Sequence, residues 1–263
     1  MTMVTATAGK VTGSAVVQVV PAPAITASST AVPLTAIAQS GTNPGTTVDI
    51  TNSGGAQLDE LAVGTIAYGA GGTGWLSATL DQATAPAVLT LTASVTGLAI
   101  GTYTATVPIT EPDAPNSPFD IAVTFTVTAD APTTIAIAAG DGQSAGVNTA
   151  VATAPGALVT DQFGNPVAGV PVTFAVTGGG GSVTGGNAVT GANGIASVTA
   201  WTLGTSTGAN TLQASAPNLS GSPLTFTATA TAGAATQIAV NGGNGQSATV
   251  NSAVAHRAER RGA

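Results

Sequence analysis

Apolar and polar residues alternate with a period of two over much of this chain, the spacing of a strand with one buried and one wetted face. Ile121, Val123, Phe125 and Val127 interleave with Ala122, Thr124, Thr126 and Thr128, and Tyr103, Ala105 and Val107 with Thr102, Thr104 and Thr106. The same grammar returns in Val172, Phe174 and Val176 against Thr173, Ala175 and Thr177. It returns again in Leu224, Phe226, Ala228 and Ala230 against Thr225, Thr227, Thr229 and Thr231. Each run predicts a strand whose threonines form a ladder on the solvent side. Over residues 133–231 the spacing predicts strands near 133–139, 149–160, 170–177, 187–190, 195–201, 209–216 and 223–231, which is the strand set of an immunoglobulin-like sandwich. Asn193-Gly194 reads as a tight hairpin turn that uses positive φ. Gly178-Gly179-Gly180-Gly181-Ser182 reads as a flexible loop.

A repeat organises the chain. Ile135-Ala136-Ile137, Gly142-Gln143-Ser144-Ala145 and Val147-Asn148 return as Ile238-Ala239-Val240, Gly245-Gln246-Ser247-Ala248 and Val250-Asn251, at a constant offset of 103 residues. That period is a whole sandwich domain, far longer than the roughly 20–50 residues of a solenoid or propeller unit. The expected fold class is all-β, with tandem immunoglobulin-like β-sandwiches in an elongated array. Residues 1–21 read as the closing hairpin of a preceding domain, 22–129 as one sandwich and 130–232 as a second. Residues 233–263 read as the truncated start of a further repeat. After Ala255 the second copy changes to His256-Arg257-Ala258-Glu259-Arg260-Arg261, an abrupt basic replacement read as a frameshift or gene-fragment end.

The run Leu158-Val159-Thr160-Asp161-Gln162-Phe163-Gly164-Asn165-Pro166-Val167, followed by Thr190-Gly191-Ala192-Asn193-Gly194-Ile195-Ala196-Ser197-Val198, resembles the bacterial Ig-like domain of group 1, the type that stacks in invasin and intimin. The resemblance covers about 130–231 and the partial copy. It implies a rigid spacer in a secreted or surface-displayed bacterial protein. Host-cell, matrix or glycan recognition would then lie in other parts of the parent. In the turn itself, Asp161 is placed to accept backbone N–H groups, Gly164 to take the left-handed conformation, and Asn165-Pro166 to set the exit. Gly74-Trp75-Leu76-Ser77 with Gly101-Thr102-Tyr103 is similar to the BACON type of Ig-like domain, which implies a glycan-binding module of a secreted carbohydrate-active protein as the alternative. Leu98-Ala99-Ile100-Gly101-Thr102-Tyr103 also reads as a tyrosine corner.

Composition narrows the chemistry. Charged residues make up 6% of the chain and cysteine is absent, so disulfides and thiolate sites are excluded. Lys10 is the only basic residue before position 256, which excludes a nucleic-acid partner and lysine isopeptide bonds in both sandwiches. Histidine-based triads lack their base, since His256 stands alone in the tail. No apolar run reaches the roughly 20 residues of a membrane span. Asp59-Glu60 and Glu111-Asp113 are the close acid pairs, read as solvated edges, and Asp130, Asp141 and Asp161 are isolated acids without a calcium loop. The expectation is therefore no enzyme, no cofactor and no metal. Trp75, beside a glycine-rich stretch, is the candidate glycan contact, and Trp201 is structural.

These readings predict a rod. Strands of seven to nine residues rise about 3.3 Å per residue, and Pro132 holds the residue before it extended. X-ray scattering in solution should give the profile of an elongated particle, and a compact profile would refute the array.

Overall fold

In the computed structural model every described element is a strand. The structure describes all residues except 1, 9, 18–19, 70, 236, 239–244 and 254–263, so the readings of the second repeat copy beyond Ile238 fall partly, and those of the basic tail wholly, outside it. The chain divides into two compact units. Residues 1–131 with 161–165 form the first, and 132–160 with 166–263 the second.

In the first unit, β1 (Thr2–Ala8) and β2 (Val11–Val17) pair as an antiparallel hairpin. The sandwich begins with β3 (Ile25–Ala27) and β4 (Ala31–Ile37), which are consecutive in sequence but lie in different sheets. β3 joins β5 (Gly45–Asn52), β9 (Ala87–Ala93) and β8 (Leu76–Leu80) in a four-stranded antiparallel sheet of order β3-β5-β9-β8. β4 runs parallel to β11 (Phe119–Thr128), which pairs with β10 (Gly101–Thr110). The short β6 (Ala62–Val63) and β7 (Ala67–Tyr68) both close on β10. This is the strand order of an immunoglobulin-like sandwich, with the first strand divided between the sheets. Pro33 lies on β4 at the sheet edge, where it removes a donor that a foreign strand would need.

The second unit repeats the device. β12 (Thr134–Ala139) pairs antiparallel with β14 (Gly156–Thr160), and β14 in turn with β18 (Ile195–Ser197). β13 (Gln143–Gly146) crosses to run parallel to β21 (Leu224–Thr231), in a sheet of order β13-β21-β20-β15-β17. Its other strands are β15 (Pro171–Gly178), β17 (Asn187–Val189) and β20 (Gly208–Ser215). A small extra ladder joins β16 (Ser182–Thr184) to β19 (Ala200–Thr202) and places Trp201 opposite Val183. Both units tie the turn before their last strand alike: Ser117 Oγ accepts from Glu111 N–H and Ser222 Oγ from Ala216 N–H, each at 3.0 Å.

The alternation places the core. On β11, Ile121, Val123, Phe125 and Val127 are at most 1% exposed, while Thr124 faces water. Phe125 stands opposite Tyr103, and Phe226 opposite Leu212. Three local expectations change. Residues 149–155 hold only an isolated antiparallel bridge from Ala150 to Thr202, and the strand is Gly156–Thr160. The 195–201 run is two strands in different sheets. The glycine run is a built turn: Gly179, Gly180 and Gly181 have φ of 77°, 76° and 87°, and a Cβ on Gly181 would lie 2.2 Å from the Thr202 carbonyl oxygen.

Truncating Phe125 to Ala should cost about 3–5 kcal/mol, because the site cannot collapse around the lost ring. Thr124→Ala, one residue away on the wet face, should stay within about 0.5 kcal/mol. Chemical denaturation of both variants separates the two faces, and equal effects would mean the register is wrong.

Candidate functional site

The turn at Asp161–Asn165 is built around one carboxylate. Asp161 Oδ1 accepts the backbone N–H of Phe163 and of Asn165, each at 2.9 Å, and its Oδ2 accepts from Asn165 Nδ2 and Asp130 N–H, also at 2.9 Å. Gly164 takes φ 83°, and its N–H closes the turn on the Asp161 carbonyl. Asp161 and Asn165 are both buried. Burial pushes the Asp161 carboxyl up, but the Asn165 side chain and the N–H groups of Asp130, Asn165 and Phe163 outweigh it and leave the group below its ordinary value. Four donors around one carboxylate fill the lone pairs that a cation would use.

Pro166 and Gly194, 28 residues apart in sequence, meet. Gly194 accepts Val159 N–H at 2.8 Å, and a Cβ there would come within 2.7 Å of Pro166 Cβ and 2.8 Å of the Val159 carbonyl oxygen. Thr190 is buried, donates to the Val167 carbonyl at 2.7 Å and accepts from Val170 N–H at 2.9 Å. Val159, Pro166, Val167, Thr190 and Gly194 thus meet within the second unit. Asn193-Gly194 makes the tight turn expected of it, with Gly194 N–H on the Gly191 carbonyl at 2.8 Å and Gly191 N–H on the Ile195 carbonyl at 3.1 Å, but the strands it joins do not pair as a hairpin. Only Gly194 has positive φ, Asn193 Oδ1 instead accepts Ile195 N–H at 3.1 Å, and the turn leads from β17 to β18 in the other sheet. A type I′ hairpin needs both central residues left-handed and two paired strands; here neither holds.

In the first unit, Tyr103 Oη donates to the Ala99 carbonyl at 2.9 Å, the geometry of a tyrosine corner. Trp75 does not offer a stacking face. It is 4% exposed and packs against Tyr68, Tyr103 and Phe125 at ring-centroid distances of 5.8, 6.4 and 5.5 Å. The glycan contact assigned to Trp75 is therefore corrected to a core anchor, because a ring enclosed by other rings cannot meet a sugar. Trp201 is fully buried, and neither indole N–H has a hydrogen-bond partner, so both rings serve as apolar filling.

The acids are placed singly. Asp141 Oδ1 accepts the backbone N–H of Thr227 at 2.7 Å and its hydroxyl at 2.9 Å; the Thr227 N–H foremost holds the carboxyl below its ordinary value. Glu111, expected at a solvated edge, is 1% exposed and accepts Glu60 N–H at 2.9 Å, whereas Asp59, Glu60 and Asp113 are exposed. Nothing local in the sequence marks Glu111, since its partner lies 51 residues away. Among the described residues no three acids or histidines gather, and no helix is long and apolar enough to cross a membrane.

No protein-family model matches the chain, and no curated protein matches it. Solved structures do. The D00-D0 domain of intimin is 15% identical, with TM-score 0.35, over 80% of this chain and 99% of that one. The Yersinia pseudotuberculosis adhesin InvE is 18% identical, with TM-score 0.35, over 79% of this chain and 58% of that one. A titin Ig tandem is 10% identical, with TM-score 0.37, over 82% of this chain and all of that one. The structural neighbours therefore include Ig-like tandems of the intimin and invasin kind.

Because Asp141 and Asp161 sit below their ordinary value of 3.8 when folded, the stability they contribute is complete above that pH. It is lost as pH falls through their lower folded values. Thermal melts from pH 7 to pH 2 should be flat to about pH 4 and fall below it. Asp161→Asn should lower stability at neutral pH by about 1–3 kcal/mol and flatten the acid limb. An unchanged limb would remove Asp161 from this role.

Proposed function

We propose that this chain is a non-catalytic structural or adhesive segment of a secreted or surface-displayed multi-Ig protein, a spacer that carries recognition elements placed elsewhere in the parent. One observation carries the reading. The polar residues of the turn spend their capacity inside the protein: Asp161 is saturated by three backbone N–H groups and the Asn165 side-chain amide. Repetition supports the same reading, since a unit returning after 103 residues adds length without adding a new site. Exposed strand positions are mostly threonine and alanine, which keep a sandwich wetted while giving a protein partner few anchors of the aromatic and arginine kind. The glycan-module alternative has lost the residue on which it rested, since Trp75 is in the core.

In the full-length parent, exchanging residues 22–231 for two unrelated sandwiches of equal length should leave surface adhesion within twofold, while deleting them should reduce it. Adhesion lost on exchange, with surface display intact, would overturn the spacer.

A further inference from the structure

Asn193-Gly194 in the second unit carries a reactivity of its own. An asparagine followed by glycine can close on itself, because glycine has no side chain to shield its nitrogen. The Gly194 nitrogen attacks Asn193 Cγ, Nδ2 leaves as ammonia with the Gly194 proton, and a five-membered imide results. Water then opens the ring. Breaking the bond to Cγ leaves aspartate, and breaking the bond to the main-chain carbonyl leaves isoaspartate, whose main chain is one atom longer. The folded turn withholds each part of this step. Gly194 N–H is donated to the Gly191 carbonyl at 2.8 Å, and Asn193 Oδ1 is held by Ile195 N–H at 3.1 Å. The Asn193 side chain is exposed while Gly194 is buried, so the group to be attacked lies at the surface and the attacking nitrogen beneath it.

Gly194 also has no room to move. It holds φ 72°, its carbonyl accepts Val159 N–H at 2.8 Å, and a Cβ there would lie 2.7 Å from Pro166 Cβ. Ring closure turns the peptide between Asn193 and Gly194, which would carry Gly194 out of these contacts. The extra main-chain atom of isoaspartate falls between the Asn193 Cα and Gly194. With it, the bonds of Gly194 to Gly191 and Val159 and of Gly191 to Ile195 cannot all be remade. Aspartate keeps the main-chain length and an oxygen for Ile195 N–H. We infer that Asn193 is a spontaneous modification site gated by the fold: the closed turn preserves its amide, opening of the second unit releases it to form isoaspartate, and isoaspartate bars the unit from closing again. The chain has no cysteine to hold the unit covalently, so this conversion makes opening irreversible and limits the lifetime of the unit. The inference holds whether or not the chain is a spacer.

The test incubates the intact chain in mildly alkaline buffer, folded and in urea, and follows position 193 by peptide mass mapping with a protease that cuts at apolar residues. Mapping is required because Asn241-Gly242 and Asn244-Gly245 are the same pair, so released ammonia would not report one site. Conversion of Asn193 should run at least about tenfold slower in the folded chain, since only the open population reacts. The chain aged in urea is then returned to buffer and separated by size exclusion. Isoaspartate at position 193 should be missing from the native-sized peak, while the variant Asn193→Asp should refold into it. Equal rates with and without urea would overturn the gate, as would isoaspartate in the native-sized peak at its proportion before refolding. Failure of Asn193→Asp to refold would also overturn it, because added charge and not main-chain length would then be the barrier.

Discussion

The register of the last hairpin governs each unit. β10 and β11 in the first, and β20 and β21 in the second, are the longest ladders, and each strand puts its apolar side chains on one face only. A slip of one residue would carry Phe125 or Phe226 into water and bring the threonine ladder into the core. Large aromatic side chains are scarce here, five Phe, two Trp and two Tyr, so the first core depends on clustering four of them: Tyr68, Trp75, Tyr103 and Phe125. The ring that looked free for recognition is needed to fill that core.

The second constraint is how so weakly charged a chain closes its turns. With few ion pairs to draw on, it uses single polar side chains to satisfy exposed backbone donors, as Ser117, Ser222, Asp141 and Asp161 do. Where two segments must touch, it uses glycine. Gly194 against Pro166 and Gly181 against Thr202 are approaches that any Cβ would block. Division of the opening strand between sheets, β3 then β4 and β12 then β13, lets each sheet gain an edge from a single pass of the chain.

These devices bear on function because they use up the chemistry. A carboxylate that accepts four N–H groups is not poised as a base or ligand, and a tyrosine hydroxyl bound to the Ala99 carbonyl is a corner brace.

What the sequence by itself determined is whatever is encoded by neighbours in the chain. The period-two strands, the 103-residue repeat, the tyrosine corner spanning four residues and the Asp161 turn spanning four residues were all legible, because their partners fall within a few positions or recur in copy. Tertiary structure alone decided the rest. It buried Trp75, which stands just outside an alternating run, and it buried Glu111 against a backbone donor 51 residues distant. It also turned Asn193-Gly194 from a hairpin into a crossing between sheets. In each case the deciding partner is remote in sequence, and local pattern carries information about periodicity and turns but none about which distant surface closes over a side chain.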